Sequence, residues 1–159
     1  MQPYGGFWIR VGAYLIDAIV LAIGGAIIGG IVGALIGISL ASQGAADQAA
    51  VVSGAVGNVV GLVLNWLYYA LMESSSWQAT LGKKAVGLVV TDLNGHRIGF
   101  GKATGRYFAK IISALILLIG FMMVGWNERK QGLHDIIVGT LVWKAASPDL
   151  VAQDATVFN

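Results

Sequence analysis

Apolar residues run along this chain in long blocks, without the alternation of a half-buried strand or the narrow stripe of a water-soluble helix. From Val11 to Leu40 there are 30 residues with one charge, Asp17, and from Val51 to Met72 there are 22 with none. A third block, Tyr107 to Trp126, holds only Lys110. About 20 apolar residues let a helix cross a bilayer, and in hydrocarbon the backbone finds its partners only inside a helix or a closed barrel. The pattern predicts an all-α integral membrane protein with about three transmembrane helices. The first block follows a single basic residue, Arg10, and is longer than the apolar core of about 7–15 residues in a signal peptide. It reads as an uncleaved span.

The connections add orientation. The 41–50 stretch carries Asp47 and no Lys or Arg, whereas 73–106 carries Lys83, Lys84, Arg97, Lys102 and Arg106. Basic loops stay in the cytoplasm, so the N-terminus and the 73–106 segment are expected inside. A full third crossing would leave Arg129 and Lys130 outside, against that rule. The other choice is a re-entrant third block broken at Gly120 or Gly125. The reading keeps three spans. Residues 133–143 are too short to cross alone. Residues 7–144 read as one membrane domain, and 145–159, polar with Pro148, as a flexible tail.

Between the second and third spans, Ala85 to Asp92 is rich in β-branched residues, and Asn94-Gly95 precedes His96 to Phe100. Asn-Gly is the strongest short hairpin signal, because a type I′ turn needs positive φ at both positions. A short cytoplasmic β-hairpin is expected there, with Leu141–Trp143 as a third strand if that segment lies on the same side.

Composition narrows the function. Of the 159 residues 57% are hydrophobic and 11% charged, against about 25% charged in soluble domains. A net charge of +2 is too small for a nucleic-acid footprint, so no nucleic-acid partner is expected; the partner is the lipid bilayer. There is no cysteine and there are only two histidines, too few for a metal site. No serine stands in a nucleophile arrangement, and Gly95, Gly99 and Gly101 lack the context of a phosphate loop. The expectation is no enzyme, no metal and no cofactor.

Two features within the spans carry candidate chemistry. Gly25, Gly29, Gly33 and Gly37 repeat every four residues, and Gly54, Gly57 and Gly61 form a shorter row. Small residues at this spacing let helices approach closely in lipid. The first two spans are expected to cross tightly there in a glycine zipper, or a second copy is expected to pair through them as a homo-oligomer. Arg10, Tyr14 and Asp17 stand at i, i+4 and i+7, which puts Arg10 and Asp17 about 20° apart around the helix and about 10 Å apart along it. Asn65, preceded by Asn58 and followed by Tyr68, comes to a similar depth on the second span. A carboxylate inside the membrane costs about 2.5–3.5 kcal/mol even on insertion scales. It calls either for a cavity in which Asp17 binds a proton or small cation, or for an internal hydrogen-bond set that fixes helix register. Asp135, in Gly132-Leu-His-Asp-Ile-Ile-Val-Gly139, could cap a short helix, pair with Arg10 or Lys110, or line the same cavity. Its neighbour His134 should point about 100° away.

With these residues in place, the chain resembles the RDD family of small bacterial membrane proteins. That family is named for an arginine at the start of the first helix, an aspartate within it and a second aspartate near the C-terminus, here Arg10, Asp17 and Asp135. The stretch Thr80-Leu-Gly-Lys-Lys-Ala-Val-Gly-Leu-Val-Val-Thr-Asp92 with Asn94-Gly95 also looks like the family's strand-and-turn segment. The resemblance covers about Phe7 to Lys144. It implies a bacterial inner-membrane protein with a suggested role in transport, and some members are linked to sodium–proton exchange. The expected function is transport or sensing of a small cation or proton through Arg10, Tyr14, Asp17, Asn65 and Asp135. The alternative is a non-catalytic scaffold or assembly factor that docks partners on its basic segment around Lys83 and Lys84.

Overall fold

The computed structural model describes residues 4–115 and 119–155. Its elements run α1 (Phe7–Ser42), a 3-10 turn (Ala46–Gln48), α2 (Ala49–Ser74), α3 (Leu81–Ala85), β1 (Leu88–Asp92), α4 (Phe100–Leu115), α5 (Ile119–Trp126), α6 (Leu133–Val138), β2 (Thr140–Lys144) and α7 (Pro148–Ala155). They form two compact units: one takes the chain up to Asp17 and from Tyr68 onward, the other takes Ala18–Leu67.

The second unit consists of the long apolar reaches of α1 and α2. Ile19, Ile23, Ile27, Ile31, Leu35 and Leu62 are all exposed. A helix that is apolar on every face needs an apolar solvent. Among the described residues α1 and α2 are the two helices long and apolar enough to cross a membrane. The expected tight crossing of these helices at their glycines is not made. A Cβ placed on Gly25, Gly29, Gly33, Gly37, Gly54, Gly57 or Gly61 would meet nothing within 4 Å.

The third apolar block is not one straight helix. Part of it, residues 116–118, lies outside the described residues, and the helices on either side, Phe100–Leu115 and Gly120–Trp126, stand at 93° to each other.

The first unit is organised around a two-stranded antiparallel ladder that joins distant parts of the chain. β1 pairs with β2 in the register Leu88↔Lys144, Val90↔Val142 and Asp92↔Thr140. The expected local hairpin is thus corrected. A turn forms here, but not the type I′ turn expected: it is centred on Leu93-Asn94, with the Gly95 N–H bonded to the Asp92 carbonyl at 3.3 Å. Gly95 is at φ +82° while Asn94 has no positive φ, and the Asp92 carboxylate accepts the Asn94 and His96 N–H groups at 2.9 Å. After one backbone bond, Asp92 N–H to the His96 carbonyl at 2.8 Å, the chain leaves for α4. The strand Thr-Leu-Val-Trp-Lys offers β1 an apolar partner that His-Arg-Ile-Gly-Phe does not. Val89, Leu141 and Trp143 form the core of this ladder with Val151. That last residue belongs to α7, so the segment expected as a flexible tail is helical over Pro148–Ala155 and is pinned by a buried valine. The end of the tail, 156–159, lies outside the described residues.

Candidate functional site

The predicted face of Arg10, Tyr14 and Asp17 splits in three. Tyr14 is 63% exposed. Asn65 stays half-buried on the other unit. Arg10 and Asp17 take different partners, because each is claimed by a segment far along the chain.

Asp17, buried on α1, holds the start of α3. Its Oδ1 accepts the Tyr68 hydroxyl at 2.6 Å and the Gly82 N–H at 2.7 Å, and its Oδ2 accepts the Thr80 hydroxyl at 2.6 Å. The first N–H groups of a helix have no partner within it. In α3 the Leu81 N–H finds the Tyr68 oxygen at 3.1 Å, Gly82 finds Asp17, and Lys83 finds the Thr80 hydroxyl at 3.3 Å. Thr80 is the N-cap residue, and Asp17 extends that cap from another helix. The approach is so close that Gly82 has no room for a side chain: a Cβ there would stand 2.0 Å from the Ala13 carbonyl oxygen.

The second cluster is ionic and gathers six charged groups from five elements. Arg106, buried on α4, is its hub: Nη2 reaches Asp135 Oδ1 at 2.7 Å and Nη1 reaches Glu73 Oε2 at 3.2 Å. Asp135 Oδ2 takes the Arg10 Nη1 at 2.5 Å and caps its own helix by accepting the Gly132 N–H at 3.1 Å. Arg10 also donates from Nε to the Gly5 carbonyl at 2.8 Å and from Nη2 to the Lys130 carbonyl. Glu73 Oε1 is shared by the Lys83 ammonium and by Lys110 Nζ, the latter at 3.3 Å. Lys110 also lies over the Tyr69 ring, 4.4 Å from its centroid.

Two sequence-based expectations are corrected here. His134 does not point away from Asp135: capping turns the carboxylate back over the helix start, and His134 Nε2 comes to 3.4 Å from Oδ1. Lys83 and Lys84 do not share a basic docking face. Lys83 is turned inward to Glu73, while Lys84 Nζ stacks 3.4 Å over the Trp77 ring. Among the alternatives left open for Asp135, the pairing with Arg10 and the helix cap are both made. Sequence reasoning passed over Glu73, Arg106, Gly82 and the inward role of Lys83. The signals were faint: an acid closing an uncharged block, and an i, i+4 pair of cations at Arg106 and Lys110.

Electrostatics follow from burial. Burial alone would raise the pKa of Asp135, but the Arg106 and Arg10 guanidiniums outweigh it and hold the carboxyl well below its usual range. Burial pushes the His134 imidazole down to about 3, the Asp135 carboxylate opposing only part of this. Burial likewise takes the Lys83 ammonium down to about 7, with Glu73 pulling it up and Lys110 and Arg106 pushing it further down.

Acid lability is the consequence. Between pH 6.5, where an unfolded histidine titrates, and about 3, the unfolded state binds a proton at His134 that the folded state does not. Stability must therefore fall as pH falls through that window. Asp135, whose carboxyl is depressed in the fold, adds a loss of the same sign below about pH 4. Denaturation midpoints of the protein in micelles should drop between pH 7 and 4.5, and His134→Phe should flatten the drop. An unchanged midpoint in the parent protein would contradict the buried neutral imidazole.

Two helices of membrane-crossing length, and a unit with a buried ionic cluster, define a small membrane protein. The RDD family model matches residues 4–139, and the chain belongs to that family. It is 38% identical over 149 residues to the uncharacterized protein YxaI of Bacillus subtilis (strain 168), covering 89% of this chain and 98% of that one. It is 29% identical to the uncharacterized membrane protein YteJ of the same organism, covering 89% of this chain and 81% of that one. A proline-rich antigen homolog of Mycobacterium tuberculosis (strain ATCC 25618 / H37Rv) is 34% identical over 64 residues, which cover 40% of this chain and 27% of that protein. No solved structure matches.

Proposed function

We propose that this protein is a proton-responsive membrane protein, with Lys83 as the group that gains and loses the proton at the cytoplasmic end of the two spans. One observation carries the reading. Four cations, Arg10, Lys83, Arg106 and Lys110, are packed around two buried carboxylates, Glu73 and Asp135. Burying charge without its counterpart costs several kcal/mol, and the cluster can lower that cost by releasing a proton. Arginine does not release one. Of the two lysines, Lys83 is the more enclosed, at 10% side-chain exposure against 22% for Lys110. The proton leaves the Lys83 ammonium for water, and the neutral amine keeps its hydrogen bond to Glu73.

Geometry favours sensing over passage. Arg10 stands in the first turn of α1 and Glu73 at the end of α2, so the cluster sits where the spans end. Its basic residues favour the cytoplasmic side for that end. Asp17, the expected cation site, has both oxygens committed to three donors. Its part is to fix α3, and through α3 the position of Lys83.

The test is a titration of the lysine Nζ signals by 15N NMR, on the full chain in lipid nanodiscs from pH 5.5 to 9.5. One signal should titrate near pH 7, be absent in Lys83→Met, and move to higher pH in Lys110→Met, where a repelling cation is gone. If every lysine keeps its charge past pH 9, the reading fails. The Lys110→Met shift decides the matter if Lys83→Met does not fold.

A further inference from the structure

We infer that α4, α5 and α6 form a wedge that dips into the leaflet next to Arg10 and returns to the same side, with lipid acyl chains covering its apolar face. The inference is independent of any titration.

Its first support is that α4 is inside out. The residues it turns inward are Ala103, Arg106, Ala109 and Ser113, while Ile111, Ile112 and Leu115 are exposed. Trp126 on α5 and Ile136 and Ile137 on α6 are exposed as well. A helix in water buries its apolar stripe and exposes its polar one. Apolar side chains left exposed on three successive helices mark contact with a membrane or a partner.

The choice between those two comes from where the chain enters and leaves. Arg106, on α4, and Asp135, beyond α5, touch at 2.7 Å. Asp135 and the Lys130 carbonyl are both held by Arg10, at the start of the first span. The ladder makes the same point: β1 precedes α4, β2 follows α6, and they are hydrogen-bonded along five residues. Strands on opposite sides of a bilayer cannot pair. The chain therefore enters and leaves the apolar face between them on one side, the side on which Arg10 begins the first span. Charge agrees, since Arg97 and Lys102 lie before the block and Arg129 and Lys130 after it, and cytoplasmic segments hold the basic residues.

Length then sets the depth. From Arg106 to Leu115 the helix rises about 14 Å at 1.5 Å per residue, roughly half of a hydrocarbon core of about 30 Å. Beyond it the axis of α5 stands at 93° to that of α4. A Cβ on Gly120 would come 2.8 Å from Ser113 Cβ, so α5 begins against the last turns of α4 and does not continue away from them.

The chain has no cysteine, which makes single-cysteine variants clean probes. In sealed vesicles of one orientation holding the full chain, Asn94→Cys and Arg129→Cys should react alike with a membrane-impermeant maleimide, and Ala46→Cys should react from the other side. A spin label on Ile112→Cys should be open to oxygen and closed to a water-soluble nickel complex, at a depth within one leaflet. Arg129→Cys reacting on the Ala46→Cys side would mean a full crossing and overturn the wedge. A label at Ile112→Cys reached by nickel, or shielded from both probes by a second copy, would overturn the lipid as its cover.

Discussion

Gly82→Ala is expected to cost the protein roughly 3–5 kcal/mol, as much as the most damaging core changes do. The added methyl would stand 2.0 Å from the Ala13 carbonyl oxygen and 2.8 Å from Asp17 Cγ. The first of these is backbone of a rigid helix, so α3 must retreat. Retreat breaks the 2.7 Å bond from the Gly82 N–H to Asp17 and leaves a buried carboxylate short of a donor. It also draws Lys83 away from Glu73. Gly101→Ala is the matched control, because a Cβ there meets nothing within 4 Å and alanine in a helix is worth about 0.5–1 kcal/mol over glycine. Unfolding midpoints in micelles should move in opposite directions for the two variants. Equal behaviour would show that α3 does not press on α1.

Asp135→Asn is the second large effect, a loss of about 3–5 kcal/mol, the usual outcome of breaking a buried ion pair from one side. The substitution leaves Arg10 and Arg106 facing a neutral amide that can accept from one of them and turns a donor to the other. Asp17→Asn should cost less, about 1–2 kcal/mol. Asp17 meets hydroxyls and one N–H, and the Thr80 hydroxyl can reverse to accept from an amide. Replacing both partners, as Arg106→Met with Asp135→Leu, should recover part of the loss, since an apolar pair bears no desolvation penalty. A double-mutant cycle measures the coupling. Asp17→Asn proving the more damaging of the two would put the main electrostatic weight on the wrong cluster.

The ranking of those two aspartates shows how far the residues could be read in one dimension. Periodicity placed Arg10 and Asp17 on one helix face, and they are indeed on one helix. Their side chains nevertheless part, because Asp135, 125 residues from Arg10, is the stronger partner for a guanidinium. The N–H groups at the start of α3, in turn, need an acceptor that α3 itself cannot supply. Asn94-Gly95 likewise marked a turn, though the turn that forms is centred on Leu93-Asn94 with positive φ at Gly95 and not at Asn94. The strand that pairs with β1 was not the one across that turn, since the ladder is decided by which segment can cover Val89 with apolar side chains.

Lipid as the solvent of α1 and α2 was determined along the sequence, because hydropathy over some twenty consecutive residues is a local sum and needs no knowledge of contacts. The same holds for the basic character of the 73–106 connection and for the family, which follows from the spacing of Arg10, Asp17 and Asp135. The sharing of Glu73 by three cations, the service of Asp17 to Gly82, and the return of α6 to Arg106 were decided in three dimensions. Each is a meeting of groups separated by tens of residues, governed by burial and charge balance. Those are properties of a packed interior that no stretch of chain carries alone.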